Sequence, residues 1–157
     1  LNKMQEQGLD AVILASAGLS RLGMSQLITE KIPVQTLLPA VGQGALGLEC
    51  RADDPETRRL VLGISDPAAA AAVEAERAFL ARLEGGCQVP IAGYAVLEGA
   101  DVAFSGLVAS LDGKEVIRGQ GRAKKEQAAN LGRQVAEEVL QRGGREILAE
   151  VYGEGPA

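Results

Sequence analysis

Cys87 is the residue in this sequence best placed to do covalent chemistry. It stands in Leu83-Glu84-Gly85-Gly86-Cys87-Gln88-Val89-Pro90, between a strongly helical run and a strand-like one. Glycine supplies the left-handed turn that ends helices, and two in succession make a loop with the thiol at its tip. A cysteine kept for packing belongs inside an element, among apolar side chains. Three readings stand side by side: a solvated thiol without a role, a redox or metal ligand, and an attachment or nucleophilic site. The second lacks partners, because no second cysteine lies at metal spacing and the chain has no histidine. The negative end of the preceding helix and Glu84 both push a thiol pKa up. Such a thiol suits a single alkylation better than repeated turnover.

Arginines come next. Arg21 and Arg51 are each expected at a strand end beside a glycine-rich turn, and guanidinium forks bind carboxylates and phosphates bidentately. Gly42-Gln43-Gly44-Ala45-Leu46-Gly47 matches a dinucleotide-binding G-x-G-x-x-G, and Asp66 follows at a plausible distance. Pro39 and Pro55 break the strand and helix such a motif needs, so a nucleotide-binding oxidoreductase is disfavoured. Cys50, at an apolar-to-polar boundary, is expected to be buried and inert. Asp53 and Asp54 read as a cap or loop. Without histidine, Ser-His-Asp and Cys-His catalysis are excluded within this chain, and no metal site is expected.

The positioning elements are read from pattern. Residues 1–7 look like a helix tail stopped by Gly8. Ala11-Val12-Ile13-Leu14-Ala15 is an apolar run suited to a strand covered on both faces. Residues 16–18 read as a turn, and residues 19–23 as the opening of a short helix. Residues 37–48 are apolar and glycine-rich, and residues 52–57 read as a linker. Asp66-Pro67 is an N-cap with proline at the first helical position. The helix it opens, over residues 68–84, carries Ala72, Ala75, Phe79 and Leu83 on one face. Strands are expected at residues 88–97, along Val102, Phe104 and Val108, and at residues 115–119. Pro90 marks an edge or strand start, and Asp112-Gly113 a hairpin. Residues 125–141 form a helix with Ala128, Leu131, Val135 and Val139 on one face. Gly143-Gly144 stops it, and residues 145–152 form a last short helix.

The chain has 157 residues, 46% hydrophobic and 24% charged, enough for a real core in one or two domains. A net charge of -5 argues against general nucleic-acid binding, and 3% aromatics leave few stacking platforms. No apolar run approaches a membrane span. Two cysteines make no disulfide framework, so free thiols in a reducing cytoplasm are expected. The opening, without methionine and mid-helix in character, reads as part of a longer protein.

Three segments resemble the hydroxymethylbilane synthase (porphobilinogen deaminase) family. They are Leu14-Ala15-Ser16-Ala17-Gly18-Leu19-Ser20-Arg21-Leu22-Gly23, Leu38-Pro39-Ala40-Val41-Gly42-Gln43-Gly44-Ala45 through Glu49-Cys50-Arg51, and Glu76-Arg77 through Leu83-Glu84-Gly85-Gly86-Cys87-Gln88-Val89-Pro90-Ile91. The resemblance implies an α/β plus α+β fold. Residues 1–37 would be the remnant of a second, periplasmic-binding-protein-like α/β domain. Residues 38–64 would be a return strand and linker associated with the first α/β domain. Residues 65–157 would be a C-terminal domain with a three-stranded antiparallel sheet covered by helices.

It also implies a transferase joining four porphobilinogen units into hydroxymethylbilane, in tetrapyrrole (porphyrin and haem) biosynthesis. A dipyrromethane primer would be held as a thioether on Cys87, with Arg21 on its carboxylates. Arg51, Gln43, Ala15 and Gly44 would line the substrate cleft. The catalytic aspartate would lie outside this chain, which contains no catalytic residue and is expected to be inactive alone. The partners implied are porphobilinogen, the growing linear pyrrole chain and the rest of the same protein. Nucleic acid and membrane are not among them, and the complete protein is expected to be a cytoplasmic monomer. The alternative is a non-catalytic small-anion-binding module with a surface thiol.

Overall fold

The computed structural model describes residues 4, 6–84 and 89–153. Expectations for Gly85, Gly86, Cys87 and Gln88 lie outside the described residues. Chain contacts divide the molecule into two units, Leu1–Leu37 and Leu38–Ala157.

In the first unit, Met4 and Glu6 are helical and Gly8 takes the left-handed φ of 63° expected of a helix stop. The expected strand at residues 11–15 does not form, and Ile13 is 71% exposed. A strand needs a paired neighbour, and no strand is described in this unit to supply the ladder. Helix α1, Ser16–Arg21, begins where a turn was expected and takes Gly18 into its interior. A 3₁₀ turn follows at Ser25–Leu27.

The second unit opens without the expected return strand. Residues 38–64 contain no strand, and the chain reverses near Gly42 at a φ of 71°. The Pro39 carbonyl accepts from the Gly93 amide at 3.0 Å, one backbone hydrogen bond to an edge strand rather than a ladder. The expected linker at residues 52–57 instead starts a helix, α2, Pro55–Leu62. Asp54 caps it, accepting from the Thr57 amide at 3.0 Å and the Thr57 hydroxyl at 2.8 Å. Aspartate followed by proline is the same start signal as Asp66-Pro67.

Helix α3, Pro67–Arg82, is capped by Asp66, whose Oδ1 accepts from Ala68 at 2.8 Å and Ala69 at 3.2 Å. Three strands follow, β1 Ile91–Glu98, β2 Asp101–Ala109 and β3 Val116–Lys124, as an antiparallel meander in the order β1-β2-β3. Pro90 lies just before β1, an edge strand, and Gly113 (φ 71°) makes the β2–β3 turn. Helix α4, Ala128–Val139, packs on α3 and on the sheet. A π-type turn at Leu140–Gly144, kinked at Gly143 (φ 111°), leads into α5, Arg145–Tyr152.

Alternation decides which sheet face is covered. Val102, Phe104 and Val108 are buried with Phe79, Leu131, Val135 and Val139. Phe79 meets Phe104 edge to face at 5.1 Å, a geometry worth roughly 0.5–1.5 kcal/mol beyond area burial. Strand glycines let the helices approach. Gly93, Gly106 and Gly119 are aligned across the three strands. A Cβ on Gly106 would lie 2.6 Å from the Phe79 ring, and one on Gly119 3.0 Å from Val135 and Val139. This explains why β3 runs beyond the expected residues 115–119: Gly119 and Gly121 are contact positions inside the strand. At the α3–α4 crossing a Cβ on Gly132 would lie 2.1 Å from the Ala75 carbonyl oxygen, so only glycine fits.

Candidate functional site

The described residues on either side of Cys87 are held in place. Leu83 closes α3 and is 3% exposed, while Val89 on the far side is 9% exposed. Glu84 takes a left-handed φ of 53°, uncommon outside glycine, and redirects the backbone as α3 ends. Its carbonyl accepts from the Tyr152 hydroxyl of α5 at 2.7 Å. Leu83 and Val89, which flank residues 84–88 in sequence, thus both belong to the core.

Ala15 and Arg21 bracket α1. Ala15 is the N-cap, its carbonyl accepting from Gly18 at 3.0 Å, and Arg21 is the last residue. Arg21 therefore ends a helix, not a strand, where the negative end of the helix favours a cation. It is exposed and makes no ion pair among the described residues.

Gln43 and Gly44 share one turn with Gly42. Their side is exposed, and nothing lies within 4 Å of a Cβ built on Gly44. Arg51 is likewise not at a strand end. Its guanidinium grips Asp53 as a fork, Nε to Oδ1 at 3.0 Å and Nη2 to Oδ2 at 2.9 Å. That side-chain contact holds the Asp53 carboxyl below its ordinary range and raises Arg51. Both groups are largely exposed, at 80% and 72%, so the pair is weakly held and open to exchange. Cys50 is exposed, contrary to the expectation of a buried thiol, because Leu46 and Leu48 beside it are exposed too and build no core.

One group escaped the sequence reading. Glu76 on α3 is 6% exposed and the sole buried charged side chain among the described residues. Its Oε1 accepts from the Ala95 amide of β1 at 2.8 Å, and its Oε2 from the Gly42 amide at 2.7 Å. The signal was a carboxylate on the apolar stripe of α3, one position after Ala75 and three before Phe79.

Each guanidinium, Arg21 in the first unit and Arg51 in the second, is exposed. Among the described residues no cluster of three or more His, Cys, Asp or Glu could hold a metal ion. No helix there is long and apolar enough to cross a membrane.

Residues 1–59 match the family model described as "Porphobilinogen deaminase, dipyromethane cofactor binding domain". Residues 70–141, the segment that includes Cys87, match "Porphobilinogen deaminase, C-terminal domain". Porphobilinogen deaminase of Geotalea uraniireducens is 49% identical over 152 residues, 97% of this chain and 48% of that protein. The Pelobacter propionicus protein of the same name is 46% identical over 97% of this chain and 49% of its own length. The chain spans about half the length of the curated relatives it matches. Two domain models of one enzyme, matched over residues 1–59 and 70–141, place this protein in the porphobilinogen deaminase family.

Proposed function

We propose that this chain is the cofactor-carrying part of a transferase that joins four porphobilinogen units head to tail, releasing ammonia and then linear hydroxymethylbilane. The observation that carries the reading is the pair of domain matches to one enzyme, over residues 1–59 and 70–141. The dipyrromethane cofactor supplies a covalently held primer on which the pyrrole chain is extended. Cys87 is its attachment point, and the buried Leu83 and Val89 stand on either side of it in sequence. Arg21 holds pyrrole acetate and propionate groups by charge-assisted hydrogen bonds. Arg51 joins it by exchanging Asp53 for a substrate carboxylate, while Gln43, Gly44 and Ala15 offer close polar and backbone contact.

In this reading residues 1–37 end a periplasmic-binding-protein-like α/β domain, residues 38–64 associate with a first α/β domain, and residues 65–157 are the third. The rest of the protein supplies the catalytic aspartate and covers apolar side chains such as Ile13, Leu14 and Leu46, which are exposed in this chain. The complete enzyme acts as a cytoplasmic monomer, with porphobilinogen and the growing chain as its ligands. This chain alone turns over no porphobilinogen. A simple anion-binding module is the weaker reading, since two domain models of one enzyme match the chain.

Intact mass of the complete protein, purified from cells that make it, tests the proposal. An adduct of dipyrromethane size on Cys87, lost in Cys87→Ser, is expected. An unmodified Cys87 in active enzyme overturns the assignment.

A further inference from the structure

We infer that Glu76 is a positioning residue for the substrate cleft, locking the Gly42–Gly44 turn to both stems of the Cys87 loop. The inference rests on the proposed roles of Cys87, Gln43 and Gly44. Its own basis is geometric. Glu76 lies on α3, the stem that leads into the loop. One of its oxygens accepts from Ala95 on β1, the stem that leads out, at 2.8 Å. The other accepts from Gly42, immediately before Gln43 and Gly44, at 2.7 Å. A single carboxylate thus joins three segments remote in sequence.

A buried carboxylate without a cation beside it is costly unless its oxygens find donors. Here each oxygen has one, and both are backbone amides. An amide held by a charged acceptor forms one of the stronger hydrogen bonds in a protein. The surroundings support the same docking. Val41 packs against the core, within 3.2 Å of a Cβ built on Gly93. The Pro39 carbonyl takes the Gly93 amide at 3.0 Å. Pro39, Val41 and Gly42 are therefore seated by three different contacts, while Gln43 and Gly44 remain exposed. A turn held on one side and open on the other presents its open side in a fixed direction. Helix–sheet packing through Phe79 and Phe104 does not need Gly42, so the Glu76–Gly42 bond serves the turn more than the core.

The test uses the complete holoenzyme with porphobilinogen. Glu76→Gln keeps the shape but turns one acceptor into a donor facing an amide, so one of the two bonds is lost. The expected result is a KM for porphobilinogen about tenfold higher, kcat within about twofold, and faster amide exchange confined to residues 40–45. Cys87 should keep its adduct. Gly42→Ala is the second variant. It strains a backbone at φ 71° with nothing within 4 Å of the new Cβ, and so disturbs the turn without entering the core. It should raise KM likewise, and it decides the matter should Glu76→Gln fail to fold. Unchanged KM in a folded variant with faster exchange at residues 40–45 overturns the positioning role and leaves the proposed function standing. Wild-type enzyme without an adduct on Cys87 overturns both.

Discussion

Residues before Ser65 and residues after Pro67 are both rich in leucine, isoleucine and valine, yet only the second set forms a core. Every buried apolar residue described lies between Ala71 and Leu148. All the exposed large apolar residues described, except Val96, Leu111, Val116 and Tyr152, lie before Ser65. The difference is one of partners. In the later region each apolar stripe has a facing surface: α3 meets α4, and both meet one side of the sheet. In the earlier region the apolar run at residues 11–15 has no described strand to pair with. Hydrophobic content alone does not make a strand or a core; a complementary surface does.

Truncating one residue from each region gives the largest contrast. Phe79→Ala should cost about 3–5 kcal/mol in urea unfolding of this chain, because a fully buried ring leaves a cavity. Leu46→Ala should change the same curve by less than about 0.5 kcal/mol, since Leu46 is 84% exposed. In the complete protein the proposed covering predicts that Leu46→Ala costs more than about 1 kcal/mol. Equal costs in both settings would remove the covering.

Overpacking probes the same core from inside. Gly106→Ala should cost about 1–3 kcal/mol, because its new methyl must displace the Phe79 ring. A neutral result would mean that the ring has another place to go.

The two Asp-Pro caps make a matched pair. Asp66→Ala should destabilise the chain by about 1 kcal/mol, read as a shifted urea midpoint, because α3 is part of the core. Asp54→Ala removes an equivalent cap from α2, which has no buried residue. It should lower far-UV helicity slightly and leave the midpoint alone. A midpoint shift as large as that of Asp66→Ala would show α2 to be coupled to the core.

The smallest effect is at the β2–β3 turn. Lys114 first, then the Ser110 hydroxyl and the Lys114 amide, hold Asp112 down from 3.8 to about 2. A depressed folded-state carboxyl adds stability above its unfolded pKa, and that stability is lost as pH falls through the folded one. A small loss is therefore expected between about pH 4 and pH 2. It should be absent in Asp112→Asn, so the stability gap between wild type and variant should narrow as pH falls across that window.

Much of the later region was legible because its signals are local. Asp66-Pro67, the alternation of Val102, Phe104 and Val108, and Asp112-Gly113 each specify their own neighbourhood. Helix α4 was legible from Leu131, Val135 and Val139. The misreadings have physical causes. Asp54-Pro55 carries the same start signal as Asp66-Pro67, but polar surroundings made it look like a linker. Gly119 and Gly121 looked like a strand end, whereas they serve contacts with α4 that no local pattern reveals. Residues 11–15 have strand composition, and pairing is not a local property. Arg21 and Arg51 read in the sequence as forks for carboxylates or phosphates beside glycine-rich turns. The Arg51–Asp53 fork and the amides held by Glu76 depend on backbone placement, which spacing does not encode.

The Tyr152 hydroxyl on the Glu84 carbonyl bridges 68 positions of sequence to reach the root of the Cys87 segment. Losing the Tyr152 hydroxyl would remove that brace while sparing every described strand. Under the proposed attachment at Cys87, that loss would surface as a tethering defect in an otherwise sound scaffold.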